Sequence, residues 1–276
     1  MPDAQFVDMN EEEFVEEAIG IVEKGQSHGV YLRILGSLAT YIRSLNTGYA
    51  DMFKSLERFG AGKPLFTDLD LAGYSKQRNA IDKLFRELDF KPDAMVNSMF
   101  GHKRLIYYHP QNKYHVDVFL DKLEFSHDVE FGEKPGAGRL ELDSPTITTT
   151  DIVLEKLQIH EINRKDLIDL ITLFMAHEVH ERFDKNTIDG SYITRILSDD
   201  WGFWQDATTN FSKMKVLMEE LTTNNKLTAE QSQVILLRTD KLLGMFRNSP
   251  KTKHWEKRAK TGTKKPWYRE VEDVVR

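Results

Sequence analysis

Two short runs constrain this chain more than any other feature. Phe66-Thr-Asp-Leu-Asp-Leu-Ala72 and Tyr114-His-Val-Asp-Val-Phe-Leu120 alternate apolar with polar residues and are rich in β-formers, so both read as strands. Side chains two apart on a strand share a face, roughly 6.7 Å apart along it. Asp68 and Asp70 therefore project together and leave Leu69 and Leu71 for the other face. If the strand carrying Asp117 lies alongside, about 4.8 Å away, its carboxylate joins them on one surface. Three convergent carboxylates repel one another. Their natural partner is a pair of Mg²⁺ (or Mn²⁺) ions held by oxygen ligands and substrate phosphates.

Upstream, Val30-Tyr-Leu-Arg-Ile-Leu35 is a strand candidate, followed by Gly36-Ser37 and the helical-looking Leu38–Arg43. Glycine and serine between a strand and a helix let the backbone approach a phosphate and place N–H groups and a hydroxyl at the positive helix end. The order is strand, Gly-Ser, helix, Asp-x-Asp on a strand, then a third Asp on a later strand. It resembles the nucleotidyltransferase superfamily with a DNA polymerase β-like catalytic core. Ser37 and Asp68 are 31 positions apart, so an extra helix or loop, about Asp51–Phe59, is expected within Asn46–Lys63. Larger members of the superfamily accommodate such an insert, among them the AbiEii-type toxins of abortive-infection systems. The competing reading leaves Asp68 and Asp70 merely solvated on a strand edge.

The rest of the chain sorts into two compositions. Glu11–Lys24 carries Phe14, Ala18, Ile21 and Val22 at helical spacing, and Gln77–Leu88 carries Ile81, Leu84, Phe85 and Leu88 likewise. Arg104–His109 and Lys113–Lys122 read as a hairpin across Pro110-Gln-Asn112. Beyond about residue 147 the pattern is helical: Asp151–His160, Arg164–His177, Trp204–Leu221 and Thr228–Phe246. The expected class is α+β, with a catalytic core over 1–147 and a helical domain with a basic tail over 148–276.

Lys156 falls on an i, i+4, i+7 stripe with Ile152 and Ile159, where a lysine either snorkels to water or reaches an anion. Leu154-Glu-Lys-Leu157 and Arg164-Lys-Asp-Leu-Ile-Asp169 resemble the AbiEii-type region whose lysine contacts nucleotide phosphates. Asp166 is a weaker site candidate, because Asn163 as N-cap would put it at N3, a position that stabilises a helix start. Arg78, Lys103 and Arg104 could reach triphosphate oxygens, with plain surface charge as the default. His115 and Asp121 share the Asp117 face. His177-Glu-Val-His-Glu181 spaces its histidines three apart where a zinc helix motif needs four, and reads as a solvated helix end. Trp201-Gly-Phe-Trp204 reads as packing.

At 276 residues with no cysteine, disulfides, thiolate catalysis and Cys-type zinc sites are excluded. With no membrane-length apolar run and no export signal, a cytoplasmic location is expected. Residues 251–265 hold seven bases against Glu256 alone, in a chain of net charge −6. That tail could grip a phosphate backbone, with Trp255, Trp267 and Tyr268 as stacking surfaces. The favoured alternative is that the aromatics pin the tail to the domain while the lysines face water.

The resemblance, covering about residues 28–170, implies transfer of a nucleoside monophosphate from an NTP to an acceptor hydroxyl. Asp68 and Asp70 would hold two metals, Asp117 would ligate one and help deprotonate the acceptor, and Gly36, Ser37 and Lys156 would cradle phosphates. The acceptor could be RNA or protein, in a toxin–antitoxin-like setting, or a small molecule such as an aminoglycoside. A nucleotide-binding module without turnover is the third possibility.

Overall fold

The computed structural model describes residues 9–58 and 65–270. The acidic Asp3 and Asp8, Phe59 of the expected insert helix, and the stretch 60–64 lie outside them. The chain forms two compact units, one drawn from residues up to 42, 65–123 and 130–148, the other from 43–58, 124–129 and 149 onward.

The first unit opens with helix α1 (Glu11–Ser27), started by Asn10, whose side chain accepts the Glu13 N–H at 2.8 Å. Three acids in its first turn suit the positive helix end. The expected stripe of Phe14, Ala18, Ile21 and Val22 is buried. The helix stops where Gly29 takes a positive φ and Val30 N–H returns to the Gly25 carbonyl. Five strands then make one mixed sheet: β1 (Leu32–Ile34), β2 (Leu69–Gly73), β3 (Lys91–Pro92), β4 (Arg104–Tyr108) and β5 (His115–Leu120), in the order β1-β2-β5-β4-β3. Only β2 and β5 run parallel; the other neighbours are antiparallel.

Alternation along these strands makes the two sheet faces chemically different. Leu32, Ile34, Leu69, Leu71, Leu105, Tyr107, Val116 and Val118 fill one face and are essentially inaccessible. Helix α4 (Arg78–Glu87) packs there, with Phe85 stacked on Tyr107 at 4.2 Å and Ile81 against Gly73. The opposite face carries Asp70, Arg104, His115 and Asp117. Helix α2 (Gly36–Thr47) leaves the end of β1, and α5 (Ala94–Phe100) lies against β4.

The second unit is mostly helical: α3 (Ala50–Ser55), α6 (Thr149–Leu157), α7 (Arg164–Ala176), α8 (Gly190–Leu197), α9 (Trp201–Thr223), α10 (Ala229–Asn248) and α11 (Lys253–Ala259). Every residue of α6 is buried, as a helix at the centre of a bundle must be. Phe174, Phe211 and Phe246 meet between α7, α9 and α10. Among the described residues, no helix is long and apolar enough to cross a membrane.

Candidate active site

The site assembles where β1 ends and β2 begins. Leu35 N–H donates to the Asp70 carbonyl at 3.0 Å, so the chain leaves β1 directly beside Asp70. Gly36 follows with φ +73°, a conformation glycine adopts without strain. A Cβ at Gly36 would sit 3.2 Å from Asp70 Oδ2. Glycine is therefore required twice, by its backbone angle and by the carboxylate resting against it. Ser37 occupies the first turn of α2, half-exposed, in a turn that contains no acid.

Asp70 pairs in register with Asp117 across the parallel β2–β5 ladder, which places both side chains on the same face. Asp68 sits just before β2, on the run-in to the strand, with its side chain 41% exposed. The His115 imidazole links the outer two carboxylates: its Nε2 lies 3.7 Å from Asp68 Oδ2 and 3.5 Å from Asp117 Oδ2. Asp117 is nearly inaccessible, and Arg104 clamps both its oxygens, Nε to Oδ1 at 3.2 Å and Nη2 to Oδ2 at 2.6 Å. Burial pushes the Asp117 carboxyl up. The bonds from His115 and Arg104 outweigh that and hold its pKa at about 2.

Carboxylate oxygens on one sheet face, with the His115 imidazole between two of them, suit a hard divalent cation. Asp68 and Asp70 have the chemistry to ligate one, and Asp117 is held by Arg104. Among the described residues, no group of three or more His, Asp or Glu side chains is gathered closely enough to hold an ion. The donor chemistry fits such a cation, with Asp117 able to contribute only once Arg104 lets go.

Neither the Arg104 clamp nor the His115 bridge follows from the Asp pattern alone. The hairpin that creates them does carry a signal. A loop around Pro110–Asn112 sets Tyr108 opposite His115 and Ile106 opposite Asp117, which brings Arg104 opposite Phe119, one diagonal step away. Asp121 leaves the strand at positive φ, and its carboxylate accepts the Ser75 N–H at 2.7 Å. Arg78 donates to the Asn97 carbonyl at the end of α5.

Lys156 and Asp166 belong to the second unit. The Lys156 ammonium lies 3.1 Å from Glu155, 3.2 Å from Asp166 and 3.1 Å from Asp169, almost without solvent contact. Arg58 grips Asp169 through two nitrogens, at 2.7 and 3.0 Å. Asn163 caps α7 by accepting the Asp166 N–H, so Asp166 both occupies N3 and pairs with Lys156. His177 is not part of a solvated helix end: α7 stops at Ala176 and His177 is buried, its Nδ1 donating to the Asn186 carbonyl at 2.8 Å. Asn186 belongs to the segment after α7, which closes where the Ile188 N–H returns to the Glu178 carbonyl at 2.8 Å.

No family model matches the chain, and no curated protein does. Among solved structures, an antigenic nucleotidyltransferase-like protein from Paracoccidioides brasiliensis is similar at 13% identity, with a TM-score of 0.41 over 79% of this chain and 94% of that one. A likeness of that depth decides neither fold nor activity.

Proposed function

We propose that this chain is a nucleotidyltransferase with a polymerase β-like core, moving a nucleoside monophosphate from an NTP to an acceptor hydroxyl of RNA or protein while pyrophosphate leaves. The observation that carries the reading is the Gly36 backbone against the Asp70 carboxylate, with Asp70 in register beside Asp117. Gly36 and Ser37 would receive the terminal phosphates at the start of α2. Asp68 and Asp70 would hold Mg²⁺ or Mn²⁺, which supplies charge to the phosphoryl oxygens when bound. At a pKa of about 2, Asp117 is a weak base. Transfer of Arg104 from Asp117 to a nucleotide phosphate would raise that basicity and leave Asp117 facing the acceptor hydroxyl. A guanidinium suits either partner, since both offer paired oxygens.

The clamp on Asp117 also favours a second reading, a nucleotide-binding module in which Arg104 never leaves. Two measurements test them, and the second separates them. Mg²⁺ or Mn²⁺ with an NTP should raise the melting temperature under either reading, because both ligands bind only the folded site. Label from α-labelled NTPs should appear on total RNA or protein only under the first. Asp70→Asn should slow that transfer about 10³-fold with the fold intact. Stabilisation without transfer leaves the binding module; no stabilisation by any of the four NTPs defeats both.

A further inference from the structure

The tail divides its cations into two sets with different employment. Lys251 sits on the last carbonyls of α10, reaching Phe246 and Ser249 at 2.6 Å. Arg258 donates to the carbonyls of Gly262, Lys265 and Pro266 and lies over the Trp201 ring. Arg269 bonds the Phe125 carbonyl and Asp128. These three hold the segment down. Lys253, Lys257 and Lys260 instead recur at helical spacing along the outer face of α11 and its cap, and Lys264 and Lys265 follow the Gly262 turn. All five are exposed, and among the described residues no carboxylate pairs with any of them.

The segment beneath this ridge is fixed. Thr252 caps α11, Trp255 packs edge-on to Trp204, and Tyr268 stacks on His160 at 3.4 Å. Trp267 Nε1 donates to Asp206 at 2.9 Å, and a Cβ on Gly202 would run into the Trp267 carbonyl. Like charges about 5–6 Å apart along a helix face repel one another. An ordered ridge of them is tolerable in water and strongly favourable against a polyanion, with little ordering entropy left to lose on binding.

We propose that this ridge, Lys253, Lys257, Lys260, Lys264 and Lys265, binds the phosphate backbone of RNA. The aromatics face inward, so contact is with phosphates and carries no base stacking or sequence reading. None of the exposed large apolar side chains lies in the tail, which disfavours an anionic membrane, where such a ridge would need an apolar wedge. The choice of RNA over DNA rests on the nucleotidyl-transfer reading, in which RNA also supplies the acceptor hydroxyl; the ridge itself does not.

The test is fluorescence anisotropy of a labelled, tRNA-sized RNA with the full chain, against a variant carrying Lys253→Gln, Lys257→Gln, Lys260→Gln and Lys264→Gln. Five phosphate contacts to a single strand predict an affinity loss of about 100-fold between 50 and 200 mM salt, and the one remaining lysine about threefold. The variant should melt at the wild-type temperature, and Asp70→Asn should bind RNA as wild type does. Equal affinity and salt slope in both proteins would overturn the proposal, as would tighter binding to duplex DNA or to phosphatidylserine vesicles. RNA binding that persists while label never reaches any acceptor would sink the activity reading and leave this surface standing.

Discussion

Lys156 is the centre of a buried charge cluster in the second unit. One ammonium answers three carboxylates, and burial, which works to lower its pKa, is outweighed by Glu155, Asp169 and Asp166. Removing it should therefore cost much more than a surface contact. Lys156→Met is expected to destabilise the protein by about 3–5 kcal/mol, because three buried carboxylates would lose the ammonium they share. Urea denaturation measures it. A phosphate-binding role without a structural one would show the reverse, unchanged stability with weakened NTP affinity. The spacing around Lys156 displays it on an apolar stripe without the cluster, because Asp166 and Asp169 arrive from the next helix and Arg58 from a distant part of the chain. The shared facing of Asp70 and Asp117 was legible because strand alternation fixes it locally, whereas Asp68 lies on the run-in before β2. The state of Asp117 was not, since it depends on hairpin register.

At the scale of elements, long helices with a clean stripe were legible to within a few residues, as α1, α4 and α7 show. Three short ones, α5, α8 and α11, offer too few turns for periodicity to register. Their caps were nonetheless written in the chain: Asp93, Asp189 and Thr252 each accept the N–H three residues on. The end of α7 shows what such local reading leaves out. Burial, aided by Arg43 and Arg238, lowers the His177 pKa to about 4. Above pH 6.5 both folded and unfolded states hold a neutral imidazole. As pH falls towards 4, the unfolded chain takes up a proton that the folded state refuses, so about 3 kcal/mol of stability is lost. His177→Asn, which keeps a donor for the Asn186 carbonyl, should flatten that slope. Urea midpoints between pH 7 and 5 test it, because the contributions of the depressed carboxyls, Glu178 and Glu230 above 4.5 and Asp117, Asp169 and Asp206 above 3.8, are lost only at lower pH.

For the whole molecule, the tail decides how far the second unit depends on residues at the chain's end. The buried Asp206 collects His127 at 2.8 Å, His160 at 2.9 Å and Trp267 at 2.9 Å, three donors on two oxygens. Burial works to raise its pKa, and those bonds keep it lowered. Truncation after Asn248 would remove Trp267, uncover the rings of Trp201 and Trp204, and strip Lys251 from the end of α10. Losing two or three half-buried aromatics at about 1.5–3 kcal/mol for a fully buried side chain amounts to several kcal/mol, and each kcal/mol lowers the melting temperature of a chain this size by roughly 2–4 °C. The truncated protein should therefore melt well below the full chain. Gly36, Ser37, Asp68, Asp70, Arg104 and Asp117 all lie in the first unit, so the shift produced by Mg²⁺ and NTP should survive the truncation. Calorimetry with and without nucleotide reads both quantities in one experiment. An unchanged melting temperature would mean that the inward-facing aromatics contribute nothing to stability, and a lost nucleotide shift would mean that the site needs the tail.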